Sequence, residues 1–183
     1  DDGRVHVTHD GGGEWEAIDA GLEPDRWISR LEASRFDEGT IYCAQNGKRH
    51  DDFRAYLWRS TDFGRSWRNI GAGIPCGPIN VVREDPTDPD ILYVGTDLGV
   101  YVTLDGARTW EALAGDLPTT FVHDLVIHPR DDVAIIATHG RGMYALDVRP
   151  LRGEEESVEE EGVTFAVEAS DSSEEQEEED EGE

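Results

Sequence analysis

Apolar and polar residues alternate in short bursts through most of this chain, and no stretch carries sustained helical periodicity. The spacing of Val100, Val102 and Leu104 predicts a half-buried strand. Similar bursts, rich in Val, Ile, Tyr and Trp, predict strands elsewhere. The bursts also repeat. VHVTHDGGGEWEAI from Val5, LWRSTDFGRSWRNI from Leu57 and VYVTLDGARTWEAL from Val100 each read as strand, Asp-centred turn, Trp, strand. Between them recurs a second unit of strand, polar turn, strand and Gly-containing turn: ISRLEASRFDEGTIYCAQNG, INVVREDPTDPDILYVGTDLG and VHDLVIHPRDDVAIIATHGRG.

Together the two units make a repeat of about 43 residues, the length of one four-stranded blade. The turn aspartates Asp10, Asp62 and Asp105 are 52 and 43 residues apart. The difference falls almost wholly in GKRHDDFRA, an inserted loop between the second and third strands of one blade. The expected fold is therefore all-β: a partial β-propeller of about three and a half four-stranded antiparallel blades over residues 1–152. The blades fall at about 1–20, 27–70, 78–113 and 121–148. The first begins at its third strand and the last lacks an Asp turn. Both ends would then present unpaired strand edges, and the rest of the ring is expected from upstream blades of the same protein. Residues 153–167 read as an acidic linker with one strand-like run, GVTFAVEA (162–169). Residues 168–183, with ten acidic residues and no aromatic, are expected to be disordered.

The turns follow Ser/Thr-x-Asp-x-Gly-x-Ser/Thr-Trp. Ser60, Asp62, Gly64, Ser66 and Trp67 match in full. Thr8, Asp10, Gly12 and Trp15 match with Glu14 in place of the second hydroxyl; Thr103, Asp105, Thr109 and Trp110 match with Ala107 in place of glycine. A short carboxylate accepts bonds from nearby backbone N–H groups and closes a tight turn. Glycine tolerates positive φ, and the Trp buries a large face. These residue types fit a structural turn without any catalysis. The pattern resembles the Asp-box, or bacterial neuraminidase repeat, a resemblance that implies hairpins at the outer rim, away from the active site. DPTDPDILYVGTDLGVYVTLDGARTWEAL, and ATHGRGMYALDV followed by PLR, resemble the last blades of secreted bacterial sortilin-like and xyloglucanase-like propeller proteins. That resemblance covers about residues 1–152 and implies an extracytoplasmic location. It leaves three functions open: a non-enzymatic binding or assembly scaffold, part of a glycoside hydrolase acting on polysaccharide, and sortilin-like peptide binding. No catalytic aspartate of the xyloglucanases carries over to a position here.

By the same resemblance, ligands sit at the end opposite the Asp turns. The insertion brings Lys48, Arg49, His50, Asp51, Asp52 and Arg54 there, beside Asn46; Asp97, His139 and Arg141 come from equivalent loops, and His123 and Asp124 open an inner strand. Each has a plainer reading, as a solvated loop, a structural histidine or the tight turn of HGRG. His123, His139 and Asp97 follow no known metal spacing, and the Asp-rich turn Glu84–Asp90 reads as a hairpin turn rather than a calcium loop. No cofactor or metal is implied.

Charge sharpens the division. The net charge is −26, yet residues 154–183 alone hold 16 acidic residues and no basic one. The remainder is moderately acidic, which does not suit nucleic acid. No apolar run approaches the ~20 residues of a membrane span. Of the two cysteines, Cys43 is expected in a strand and Cys76 in an inter-blade loop, as free thiols.

Overall fold

In the computed structural model, residues 3–75, 77–113 and 117–154 are described; Cys76 and the acidic segment beyond residue 154 lie outside them. The described chain is a β-propeller array of four antiparallel sheets with two, four, four and three strands. The first is the hairpin β1 (His6–Val7) and β2 (Glu16–Ala17). The second runs β3 (Trp27–Ala33), β4 (Ile41–Asn46), β5 (Tyr56–Ser60) and β6 (Arg68–Asn69). The third runs β7 (Ile79–Glu84), β8 (Leu92–Thr96), β9 (Gly99–Thr103) and β10 (Glu111–Ala112). The fourth has β11 (Val122–His128), β12 (Val133–Thr138) and β13 (Met143–Asp147). The outer strands β2, β6 and β10 pair over two residues each, shorter than the sequence pattern predicts. Among the described residues the helical pieces are two 3-10 turns, Lys48–His50 and Arg149–Arg152. No helix is long and apolar enough to cross a membrane.

A sheet with neighbours on both faces needs apolar residues on both. The third sheet does this by simple alternation. Val81, Tyr93, Val100 and Val102 pack toward the fourth sheet with Val122, Leu125 and Ile136. Val82, Leu92 and Val94 pack toward the second with Leu57, Ile70 and Trp110. A smaller cluster of Val5, Ile18, Leu22 and Cys43 joins the first two sheets. Cys43 is a buried free thiol, and burial pushes its pKa up to about 12.

Asp10, Asp62 and Asp105 occupy the hairpins before the outer strands. Asp62 accepts from Ser60 Oγ (2.8 Å), Ser66 N (2.9 Å) and Ser66 Oγ (2.7 Å), while Ser60 Oγ accepts from Gly64 N. Asp105 repeats this with Thr103 and Thr109. Asp10 is bonded by Thr8 and by the N–H groups of Gly13 and Glu14, and Glu14 supplies no second hydroxyl. At the glycine position Gly64 has φ +84°, and an added Cβ would stand 2.4 Å from Ile18 Cδ1 of the preceding sheet. Ala107, at φ 69°, occupies the same left-handed region in the third turn.

These bonds hold the turn carboxyls ionised. The Ser66 hydroxyl and N–H, with Ser60, lower Asp62 from 3.8 to about 2. The Thr109 N–H and hydroxyl hold Asp105 well below the usual carboxylate range, and Thr8 and the Glu14 N–H lower Asp10. A carboxyl with a lowered folded pKa binds fewer protons folded than unfolded. Its stabilisation is complete above about pH 4 and is lost as pH falls through the folded value. Urea midpoints measured across this range should fall steadily toward pH 2, with a shallower fall in Asp62→Ala. An unchanged slope in that variant would remove Asp62 from the acid response.

Candidate functional site at the inner-strand mouth

The inner strands β3, β7 and β11 lie side by side, and each carries a register shift near its start: Ile28/Arg30, Ile79/Val81 and Val122/Asp124. The residues skipped are Ser29, Asn80 and His123. Freed from the ladder, they serve the gaps between sheets: Ser29 Oγ donates to Ile79 O at 2.6 Å and Asn80 Nδ2 to Val122 O at 3.1 Å. Equivalent pairs Ile28↔Gln45, Ile79↔Thr96 and Val122↔Thr138 are each followed on the second strand by Asn46, Asp97 and His139. The repeat therefore sets two rows of polar residues at one end of the array, opposite the Asp turns.

A cavity of about 330 Å³ opens there, lined by Trp27, Ser29, Arg30, Asn46, Lys48, Arg49, Asn80, Phe121 and His123. The insertion forms one wall. It turns tightly because Gly47 lets the Asp52 carbonyl come within 2.8 Å of where a Cβ would stand, and because Asp51 adopts φ 55°. Lys48 Nζ donates to Asp97 Oδ2 at 2.8 Å and lies 5.5 Å from the Phe121 ring centroid. The Arg49 guanidinium lies 5.4 Å from the Trp27 ring centroid. Below them, Asn46 donates to Asn80, and Asn80 to Asp97, at 3.1 and 3.0 Å. Beside them, Asp124 accepts from Arg30 at 2.7 Å and Arg83 at 3.2 Å, and Arg83 also donates to Glu32 at 2.9 Å. Arg30 Nε is buried with no hydrogen-bond partner.

The other predicted residues separate from this cluster. Asp52 is 10% exposed and accepts from Arg26, from Arg54 through two N–H groups and from Tyr56. Arg54 first, then Tyr56 and Arg26, drive its pKa far below the carboxylate range against burial. Asp52 and Arg54 thus brace the loop. His50 is exposed. His139 and His123 both approach the Phe121 ring, with centroids at 6.0 and 6.1 Å, while Asp97 is held by Lys48 and Asn80. Arg141 is exposed at the β12–β13 hairpin. Among the described residues no group of three His, Cys, Asp or Glu side chains is placed to hold a metal. In the turn from Glu84 to Asp90, Asp85 bonds Thr87 and Asp88, and Asp88 bonds Asp90 N.

Trp27, Ser29, Arg30, Asn80 and Phe121 are cavity residues that the sequence reading did not select. Ser29, Asn80 and His123 share one repeat position, a signal visible in the alignment. Trp27 and Phe121 likewise share a position, one residue before the equivalent Ile28 and Val122, and Arg30 shares the position of Val81 and Asp124.

Comparison with known proteins supports the fold. No known protein-family profile matches the chain. It is 28% identical over 145 residues to Vacuolar protein sorting/targeting protein 10 of Chaetomium globosum, covering 67% of this chain and 9% of that protein. It is 32% identical over 84 residues to Oligoxyloglucan-reducing end-specific xyloglucanase of Emericella nidulans, covering 42% and 10%. The chain thus spans about a tenth of the length of the curated relatives it matches. Among solved structures, the GH74 xyloglucanase from Xanthomonas campestris superposes with TM-score 0.63 at 22% identity, over 78% of this chain and 23% of that one. YCF48 bound to D1 peptide superposes with TM-score 0.57 at 18% identity, over 79% and 44%. At these identities the structural likeness is one of fold: the array is similar to blades of these β-propellers.

Proposed function

We propose that this chain is part of a non-enzymatic binding propeller whose ligand occupies the cavity between Trp27, Arg30, Lys48 and Phe121. The observation that carries this reading is the state of the mouth carboxylates. Glycoside hydrolysis asks for two carboxyl groups facing a shared substrate space. Here Asp97 faces Lys48, and Asp124 faces Arg30 and Arg83, at 2.7–3.2 Å. Cations and aromatic rings are left to line the cavity. We read the three aspartate turns as Asp-box repeats with a structural role, remote from this site, and the missing neighbours of the end sheets as further blades of one exported protein. The stretch 32% identical to a xyloglucanase supports a second reading, in which the chain forms one wall of a polysaccharide-cleaving site.

Lys48→Gln should weaken binding of a mouth ligand at least about tenfold, as loss of a charge-assisted contact would, with no change in melting temperature. Asp62→Ala should lower stability and leave affinity per folded molecule unchanged. The measurement is a titration of the chain with xyloglucan oligosaccharides and with peptides, followed by the Trp27 indole N–H resonance. Xyloglucan cleavage that disappears in Asp97→Asn or Asp124→Asn would establish the enzyme reading instead.

A further inference from the structure

The chemistry of the cavity narrows its ligand. Arg30, Lys48, Arg49 and His123 line it, and no carboxylate does, in a chain of net charge −26. The two asparagine amides are turned inward onto each other, Asp97 and Val122. A cation stands over each ring, Arg49 over Trp27 and Lys48 over Phe121. Rings so placed help to anchor the cations. Donors remain unmet: the 52%-exposed Lys48 ammonium has N–H groups beyond the one directed at Asp97. Anchored cations with spare donors call for carboxylate oxygens.

This chain carries a run of carboxylates of its own. Residues 171–183 include nine acidic residues and no basic one. The 29 residues beyond Glu154 reach about 100 Å when extended, against about 20 Å for a six-residue strand. The chain is therefore long enough to pass from the Asp-turn end to the mouth. Tethering supplies the segment at millimolar effective concentration.

We propose that the mouth is a carboxylate-binding site for acidic polypeptide, and that residues 171–183 of this same chain are its resident occupant. The inference rests on the mouth being a binding site, and extends that reading by naming what fills it. The segment screens the site, and an external acidic ligand has to displace it.

The test uses the full chain and a variant whose acidic residues in 171–183 are changed to Asn and Gln, each titrated with a synthetic peptide of the native 171–183 sequence. The variant should bind the peptide at least about tenfold more tightly than the parent, because the proposed resident segment no longer carries carboxylates to compete. Binding should shift the Trp27 indole signal, weaken with added salt and be lost in Lys48→Gln, a half-exposed position that leaves folding intact. Equal affinity of both chains would overturn the resident role of the tail. No peptide binding to the variant, with a neutral oligosaccharide or neutral peptide still shifting Trp27, would overturn the carboxylate assignment and leave the mouth reading standing. A Trp27 signal that answers to none of these would remove both.

Discussion

Arg152→Ala is expected to destabilise the chain by about 3–5 kcal/mol, the cost of leaving a buried charge without its partner. Asp85 is fully buried at the end of β7. Arg152, 5% exposed, donates Nε to Oδ1 at 3.1 Å and Nη2 to Oδ2 at 3.0 Å, and its Nη1 to Asp132. One guanidinium thus ties the third sheet to the fourth at the Asp-turn end. Burial alone would raise the Asp85 pKa, but Arg152, Thr87 and Tyr93 together bring it below the ordinary value. Without Arg152 the first of these lowering contributions is lost, and the Asp85 pKa moves upward from its value in the parent. Protonation then costs the variant less than it costs the parent, so the gap in stability should narrow as pH falls into the carboxylate range. Arg152→Lys should recover only part of the loss, since an ammonium cannot reproduce the planar fork. Urea unfolding of the three proteins at neutral pH and near pH 4 checks both statements. A loss under 1 kcal/mol would mean that Asp85 is held by Thr87 and Tyr93 alone.

Trp110→Ala should cost about 3–5 kcal/mol, whereas Trp15→Ala, the same substitution at the same repeat position, should stay within about 0.5 kcal/mol. Trp110 is 9% exposed, packs among Leu57, Ile70 and Leu92, and donates its indole N–H to Ile70 O of the preceding sheet at 2.9 Å. Trp67 makes the equivalent bond to Ile18 O at 2.6 Å. Each Trp therefore fastens its blade to the one before it. Trp15 has no preceding blade among the described residues and is 62% exposed. Trp110→Phe should separate the two contributions, retaining most of the apolar burial and losing about 1 kcal/mol with the hydrogen bond. Thermal melts at low protein concentration provide the comparison. Equal losses at positions 15 and 110 would show that the face bearing Trp15 is covered in solution.

The strand pattern was legible because it is local. Period-two alternation shows which residues leave a strand on the same side, and the recurrence of Asp, Gly and Trp places the hairpins whatever the rest of the chain does. The Ser/Thr-x-Asp-x-Gly turn closes on itself within seven residues, from Ser60 to Ser66, so its hydrogen bonds are implied by its spelling. The insertion was legible for a similar reason, as an interruption of a regular repeat. Its internal chemistry was only half visible. Asp52 and Arg54 bond each other two residues apart and turn away from the cavity, while Lys48, a cation like Arg54 and six residues before it, is drawn into it by Asp97.

The site itself was decided by tertiary structure. Arg30 meets Asp124 across 94 residues, Lys48 meets Asp97 across 49, and Arg152 reaches Asp85 across 67. Arg30 and Asp124 occupy the same position of their inner strands, yet nothing in the periodicity says that this cation meets that carboxylate across the intervening blade; the other two pairs share no repeat position. By itself the sequence determined the strands, the turns and the alternation that makes both faces of the third sheet apolar. The assembled blades decided which charges meet: inner strands several dozen residues apart come within hydrogen-bond reach, and in that partly buried space each carboxylate is satisfied by the nearest cation, wherever it lies in the chain.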